Sequence, residues 1–94
     1  MDANEPMMAD APLRILFFAS LRDAVGTAEL TLAPPAAGTL QSLWPQLLEQ
    51  LGADAVAELQ AENIRIAVNQ TLTSGPVRFA AGDEIAFLPP VTGG

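Results

Sequence analysis

The sequence contains no cysteine, no histidine and no lysine. Without cysteine it cannot form a disulfide, a thiolate nucleophile or a cysteine-ligated zinc or iron–sulfur centre. Without histidine it lacks the usual general base near neutral pH and the commonest metal ligand. Without lysine, no side chain can form a Schiff base or accept an isopeptide bond. Any chemistry in which this chain takes part must therefore use an unusual reactive group.

Positive charge and long apolar runs are also scarce. The 94 residues include 4 basic and 11 acidic side chains, a formal net charge of -7, which disfavours a nucleic-acid partner and favours docking on basic protein surfaces. The longest apolar run, residues 15–19, is far shorter than the roughly 20 residues of a membrane-spanning helix. The N-terminal segment lacks the features of a signal peptide, so we expect a cytoplasmic protein.

Half of the residues are hydrophobic, which suffices for one domain with one core. Residues 1–12 contain three acidic residues and two prolines, and we expect them to form a disordered leader. Residues 13–94 then form the folded domain, ending in a flexible tail over residues 89–94.

The first part of the domain reads as a hairpin. Residues 13–19 are typical of a strand, and residues 27–32 alternate as its partner. Between them, residues 20–26 form a helical turn closed by Gly26. Period-two alternation in the first strand predicts two faces: an inner face of Leu13, Ile15, Phe17 and Ala19, and an outer face of Arg14, Leu16 and Phe18.

The main helix follows and ends at Gly52. Its apolar stripe, expected in the core, consists of Leu40, Leu43, Leu47 and Leu51, joined by Trp44 and Leu48. Pro45 leaves two starts open. If Thr39 is the N-cap, Pro45 bends or delays the helix; if Ser42 is the N-cap, Pro45 falls in the first turn at little cost.

The remaining elements complete a mixed sheet. A short helix capped by Asp54 is predicted over residues 54–62, a strand over residues 64–68, and the last strand over residues 84–88. In that last strand Ile85 and Phe87 face inward and Leu88 faces outward. This order predicts an α+β roll of the β-grasp type, with one main helix covering one face of the sheet.

Ordinary catalytic motifs are absent, and the adjacent carboxylates Asp83 and Glu84 are best explained by turn polarity. The informative feature is the C-terminal tail of Pro89, Pro90, Val91, Thr92, Gly93 and Gly94. Two prolines stiffen its start, and two glycines without Cβ atoms suit threading through a narrow channel. The six residues reach at most ~20 Å beyond the sheet. The candidate reactive group is the α-carboxylate of Gly94, which must be activated by a partner because it is ionised and a poor electrophile.

Three segments carry a resemblance to a known family: residues 15–26 (ILFFASLRDAVG), residues 67–72 (AVNQTL) and residues 82–94 (GDEIAFLPPVTGG). They resemble the small subunits of molybdopterin synthase, the ubiquitin-like sulfur carriers of molybdenum cofactor biosynthesis. The resemblance covers about 80 residues and combines the FFA-x-x-R-x-x-x-G start with the PPV-x-GG end. It also implies the β-grasp fold.

The resemblance implies a reaction cycle. A ubiquitin-activating-enzyme-like adenylyltransferase consumes ATP and adenylates the Gly94 carboxylate. A sulfur donor protein converts the adenylate to a thiocarboxylate. The tail then enters the large molybdopterin synthase subunit, within a heterotetramer, and gives sulfur to cyclic pyranopterin monophosphate. The chain itself is expected to bind no cofactor and no metal and to be non-catalytic alone.

The resemblance also implies a docking surface on the outer face of the sheet. Its matching positions are Phe18, Leu72 and Leu88, with Arg22 beside them. Three alternatives remain open at this point: a sulfur carrier for thiazole synthesis or tRNA thiolation, a ubiquitin-like modifier of target lysines, and an interaction domain with an inert tail.

Overall fold

A computed structural model describes residues 11–35 and 37–90. Its centre is a five-stranded sheet with the strand order β2-β1-β5-β3-β4. β1 and β5 lie side by side and run parallel, whereas the other neighbouring strands are antiparallel. The strands are β1 (Leu13–Phe17), β2 (Glu29–Leu32), β3 (Arg65–Val68), β4 (Thr71–Leu72) and β5 (Glu84–Leu88). The mixed sheet confirms the predicted α+β class with the β-grasp arrangement.

The helices pack against one face of this sheet. They are α1 (Ser20–Val25), a short 3₁₀ helix (Leu40–Ser42), α2 (Trp44–Leu51) and α3 (Ala53–Leu59). Together with Leu43, the residue between the 3₁₀ helix and α2, they bury seven apolar side chains: Leu21, Val25, Leu43, Leu47, Ala55, Val56 and Leu59. Within the described residues, no helix combines the length and the apolarity that a bilayer crossing requires.

Phe87 on β5 is the centre of the core and is fully buried. Its ring stacks on Phe17 at a centroid distance of 5.8 Å and contacts the tilted ring of Trp44 at 6.1 Å. These contacts join β1, β5 and α2, so one side chain links the sheet to the helical layer. The inward assignments of Leu13, Ile15, Phe17, Ile85 and Phe87 are thereby confirmed.

The first strand is shorter than predicted, because it ends at Phe17 and not at residue 19. Ala19 adopts φ 52° and ψ -128°, a conformation that turns the chain out of the strand and is rare outside glycine. Ala19 is consequently exposed, and its assignment to the inner face was wrong. The turn leads directly into α1, which Gly26 closes in the left-handed conformation, as predicted.

Neither predicted N-cap begins α2. Thr39 precedes the 3₁₀ helix, and Leu43 is the N-cap of α2. The helix therefore starts late, and Pro45 lies in its first turn, where a missing N–H is tolerated. Leu48 was expected in the core stripe, but its side chain is half exposed.

The next helix also differs at both ends, because α3 runs over Ala53–Leu59 and not over residues 54–62. Its N-cap is Gly52, and Asp54 makes no capping hydrogen bond. With φ 94°, Gly52 reverses the chain between α2 and α3 without a linker, so α3 begins before Asp54 can cap it. The last strand has the predicted bounds.

Candidate functional site

The strand register builds an apolar surface on the sheet face opposite the helices. Leu16 on β1 pairs with Ala86, Ala86 with Ala67, and Ala67 with Leu72. One residue beyond the Phe17–Phe87 pair, Phe18 follows alongside Leu88. We call this surface the outer patch; it consists of Leu16, Phe18, Ala67, Leu72, Ala86 and Leu88.

Exposure within the outer patch is graded. Phe18 and Leu72 are 45% and 51% exposed, which is unusual for large apolar side chains. Leu88 is partly buried, and Ala67 and Ala86 are buried although no helix of the described residues covers them. The exposed side chains of Phe18 and Leu72 thus lie on either side of the buried residues Ala67 and Ala86. An exposed apolar cluster of this kind marks an interaction surface.

Local backbone geometry positions the outermost member, Leu72. β3 and β4 are joined by a two-residue turn in which Asn69 and Gln70 have φ 51° and 71°. Two positive φ angles define the tight hairpin turn that matches strand twist. The side-chain oxygen of Asn69 accepts a hydrogen bond of 3.0 Å from the amide of Glu84, which ties the hairpin to β5. Leu72 is therefore held in register with Ala67.

Charged residues bound the outer patch at the start of β1 and β5. Arg14 Nε lies 3.0 Å from Glu29 Oε2, and Arg14 Nη1 lies 3.6 Å from Glu84 Oε1. The hydrogen bond to Glu29 raises the pKa of Arg14 above its ordinary value. Asp83 has a different role, since its Oδ2 accepts a 2.8 Å hydrogen bond from the amide of Ala80 in the turn before β5. Asp83 therefore fits the predicted turn polarity, whereas Glu84 lies in β5 and forms an ion pair with Arg14.

The C-terminal segment leaves the sheet at the opposite end of the outer patch. Leu88, the last residue of β5, pairs with Arg65 on β3. Pro89 is partly buried and Pro90 is exposed. Pro90 also borders an open cavity of about 460 Å³, which is lined by Glu62, Asn63, Ile64 and Arg65. A partner that covers Leu88 therefore also meets the start of the tail.

The structure brings three of the four predicted docking residues, Phe18, Leu72 and Leu88, onto one sheet face. The fourth, Arg22, lies on the exposed surface of α1 and forms no ion pair with the residues that the structure describes. Their role in partner binding stays a prediction. The predictions for the remaining tail positions lie outside the described residues, at Val91, Thr92, Gly93 and Gly94.

Sequence reasoning did not single out Leu16, Ala67, Ala86 or Arg65 as site residues. Alternation had already placed Leu16 on the outer face of its strand. What it lacked was the register between β1, β5, β3 and β4, which joins them into one surface. Register is a non-local property, and only the strand pairing reveals it.

The sequence matches the model of the ThiS family over residues 15–94. It is 40% identical over 82 residues to the molybdopterin synthase sulfur carrier subunit of Escherichia coli (strain K12), covering 87% of this chain and 99% of that protein. The subunit of the same description from Haemophilus influenzae is 38% identical, with the same coverage. These relatives confirm the resemblance stated from the sequence motifs.

Solved structures share the fold. The archaeal protein SAMP1 from Haloferax volcanii aligns with a TM-score of 0.70 at 22% identity, covering 89% of this chain and 100% of that one. A chain from a complex of subunits 1 and 2 of the molybdopterin-converting factor from Helicobacter pylori 26695 aligns with a TM-score of 0.58 at 24% identity, covering 88% and 99%. By its sequence match over residues 15–94 and its identity to the curated sulfur carrier subunits, this chain belongs to the ThiS family.

Proposed function

We propose that this chain is the sulfur carrier subunit of a molybdopterin synthase. Its curated relatives bear that description and match it over nearly their whole length. The observation that carries the proposal is the position of the tail exit: β5 ends at Leu88 within the outer patch and continues into Pro89 and Pro90. Docking of a partner on the outer patch and delivery of the tail to that partner are therefore a single event.

The proposed reactive group is the α-carboxylate of Gly94. A ubiquitin-activating-enzyme-like adenylyltransferase couples it to the AMP moiety of ATP, and pyrophosphate leaves. A sulfur donor protein then supplies sulfur at the oxidation level of sulfide, which attacks the acyl carbon; AMP leaves, and a thiocarboxylate stands in place of the carboxylate. Since the chain has no cysteine and no histidine, the sulfur is carried on the main chain, and the catalytic side chains belong to the partners.

The proposed acceptor of the loaded tail is the large subunit of molybdopterin synthase, in a heterotetramer with two small subunits. The structural neighbour from Helicobacter pylori was solved in a complex of subunits 1 and 2, which supports a two-subunit assembly. In the large subunit the thiocarboxylate gives its sulfur to cyclic pyranopterin monophosphate, and the carboxylate is regenerated. One chain has one C-terminus, so the two sulfur atoms of a dithiolene require two loaded tails.

Mass spectrometry tests the proposal directly. The full chain is incubated with the adenylyltransferase, ATP and a sulfur source. We expect a mass increase equal to the exchange of one oxygen for sulfur, located by fragmentation at Gly94. A chain lacking Gly94 is the control, and we expect it to gain no sulfur and to support no molybdopterin formation with the large subunit. Molybdopterin formation by the truncated chain would overturn the proposal.

Adding cellular proteins, or the large subunit with the pyranopterin, to this reaction mixture separates the alternative functions. A protein modifier would become joined to lysines of target proteins, because its activated carboxyl reacts with amines. Since Arg78 is the last basic residue, trypsin digestion would leave residues 79–94 on each modified lysine. A sulfur carrier of another pathway would become thiocarboxylated but would transfer no sulfur to the pyranopterin. An inert tail would show no mass change at all.

A further inference from the structure

A second apolar surface lies in the helical layer, on the other side of the sheet from the outer patch. It is an open groove of about 590 Å³ between α2 and α3. We call it the helical groove and define it by Gln41, Trp44, Leu48, Val56, Ala57 and Gln60. The sulfur chemistry proposed above makes no use of it.

Leu48 is the most conspicuous residue of the helical groove, because its side chain is 50% exposed whereas the other leucines of α2 are buried or partly buried. Its neighbours Leu43 and Leu47 are fully buried. Trp44 lies one turn before Leu48 and is fixed from below by its contact with Phe87. The groove thus combines the immobilised ring of Trp44 with the exposed side chain of Leu48. A surface of this kind can bind an apolar side chain of a partner.

The two helices that form the helical groove carry acidic side chains and no basic one. On α3, Asp54 is exposed and lies three positions before the groove residue Ala57, so the two are neighbours on the helix surface. Glu49 follows Leu48 on α2 and is also exposed. An apolar groove between acidic margins complements an apolar ridge between basic margins.

We propose that the helical groove docks a basic amphipathic helix of a partner protein. An apolar side chain of that helix enters between Trp44 and Leu48, and its lysine or arginine residues face Glu49 and Asp54. The groove lies open between two helices, which suits a helix laid along it. The groove and the outer patch lie on opposite sides of the sheet, so a partner can bind here while another covers the outer patch.

Trp44 provides the assay, because it is the single tryptophan of the chain. The probe is a synthetic peptide of about 15 residues, composed of leucine and lysine in an amphipathic helical order. We expect saturable binding to the full chain with a shift of Trp44 emission to shorter wavelength. A peptide of the same composition in scrambled order should bind much more weakly and leave the emission unchanged. Equal binding of the two peptides would show that net charge alone explains the binding, and it would overturn the proposal.

Two matched leucine variants locate the binding surface. Leu48→Asn removes the groove leucine and should weaken peptide binding about tenfold, the scale expected for the loss of one leucine contact. Leu72→Asn alters a leucine of nearly equal exposure on the outer patch and should leave peptide binding unchanged. Both positions are half exposed, so both variants should fold, which circular dichroism checks. Peptide binding unaffected by Leu48→Asn, or weakened equally by both variants, would contradict the proposal.

Charge reversal tests the acidic margin separately. Glu49→Lys with Asp54→Lys should abolish the emission shift with the leucine–lysine peptide. A leucine–glutamate peptide of the same pattern should then bind this variant in its place. Failure of the double variant to exchange its peptide preference would show that these two carboxylates do not face the ligand.

Discussion

The outer patch and the helical groove expose leucines to nearly the same extent, yet their surroundings differ. Leu72 lies on a sheet face whose margins carry Arg14 and Arg65. Leu48 lies between α2 and α3, two helices that carry acidic side chains and no basic one. The outer patch also borders Pro89, the first residue of the tail, whereas the residues that line the groove include none of the tail residues that the structure describes. Exposed apolar area alone therefore does not define a function; the charge and the chain end beside it do.

The largest expected effect comes from the residue that supports both surfaces. Phe87→Ala removes a fully buried ring that contacts Phe17 under the sheet and Trp44 under the groove. We expect a loss of about 3–5 kcal/mol in the free energy of unfolding, measured by denaturant titration. Leu88→Ala, at the partly buried end of the same strand, is the control and should cost less. Equal losses would show that Phe87 does not organise the core.

The second effect separates the two surfaces. Leu72→Asn should weaken binding of the large subunit about tenfold, because half of its side chain remains available for burial by a partner. Leu48→Asn should leave that affinity unchanged. Calorimetry with the isolated large subunit measures both. If the two variants weaken this binding equally, the distinction between the surfaces fails.

A smaller effect is expected at Arg22, which lies outside both surfaces as defined by their residues. Arg22→Glu should slow association with the large subunit about three- to fivefold, since an exposed charge acts mainly on the encounter rate. Stopped-flow mixing at low and high salt measures the rate. The difference from wild type should shrink as salt screens the charge. An unchanged unfolding midpoint confirms that the fold is intact.

The smallest effect concerns how the two regions turn the chain. Next to the outer patch, Ala19 adopts φ 52°, whereas beside the groove the residue with positive φ is Gly52. Ala19→Gly should relieve backbone strain and raise the free energy of unfolding by about 0.5–1 kcal/mol. Gly52→Ala should shift stability in the opposite direction. Thermal unfolding of the two variants tests this pair, and a destabilised Ala19→Gly chain would contradict it.

Much of the sheet was predictable from local pattern. Alternation alone assigned Phe17 and Phe87 to the core and Phe18 and Leu88 to the outer face, because period two is imposed by the strand itself. The tail was singled out from the sequence because its glycines and prolines are conspicuous there, and its reactivity stays a prediction. The outer patch as a whole was not, because the partners of Ala67 depend on which strands lie side by side.

The helical layer was less predictable for a related reason. The stripe from Leu40 to Leu51 suggested one continuous core-facing helix that included Leu48. In the structure a 3₁₀ turn precedes α2, and Gly52 folds α3 back against it. The 3₁₀ turn delays the start of α2, and α3 packs beside Leu48 without covering its side chain. A leucine that periodicity assigns to the core is thus left beside the neighbouring helix, half in solvent.

The parallel pairing of β1 with β5 has a consequence for synthesis of the chain. β5 is the last strand made, yet it fills the central place of the sheet and contributes Phe87 to the core. During translation the sheet cannot form completely before β5 emerges, because β1 and β3 both pair with β5. A chain cut short before β5 would have no centre around which to fold. A folded docking face is therefore present only in molecules whose synthesis has reached β5, the strand that leads into the tail.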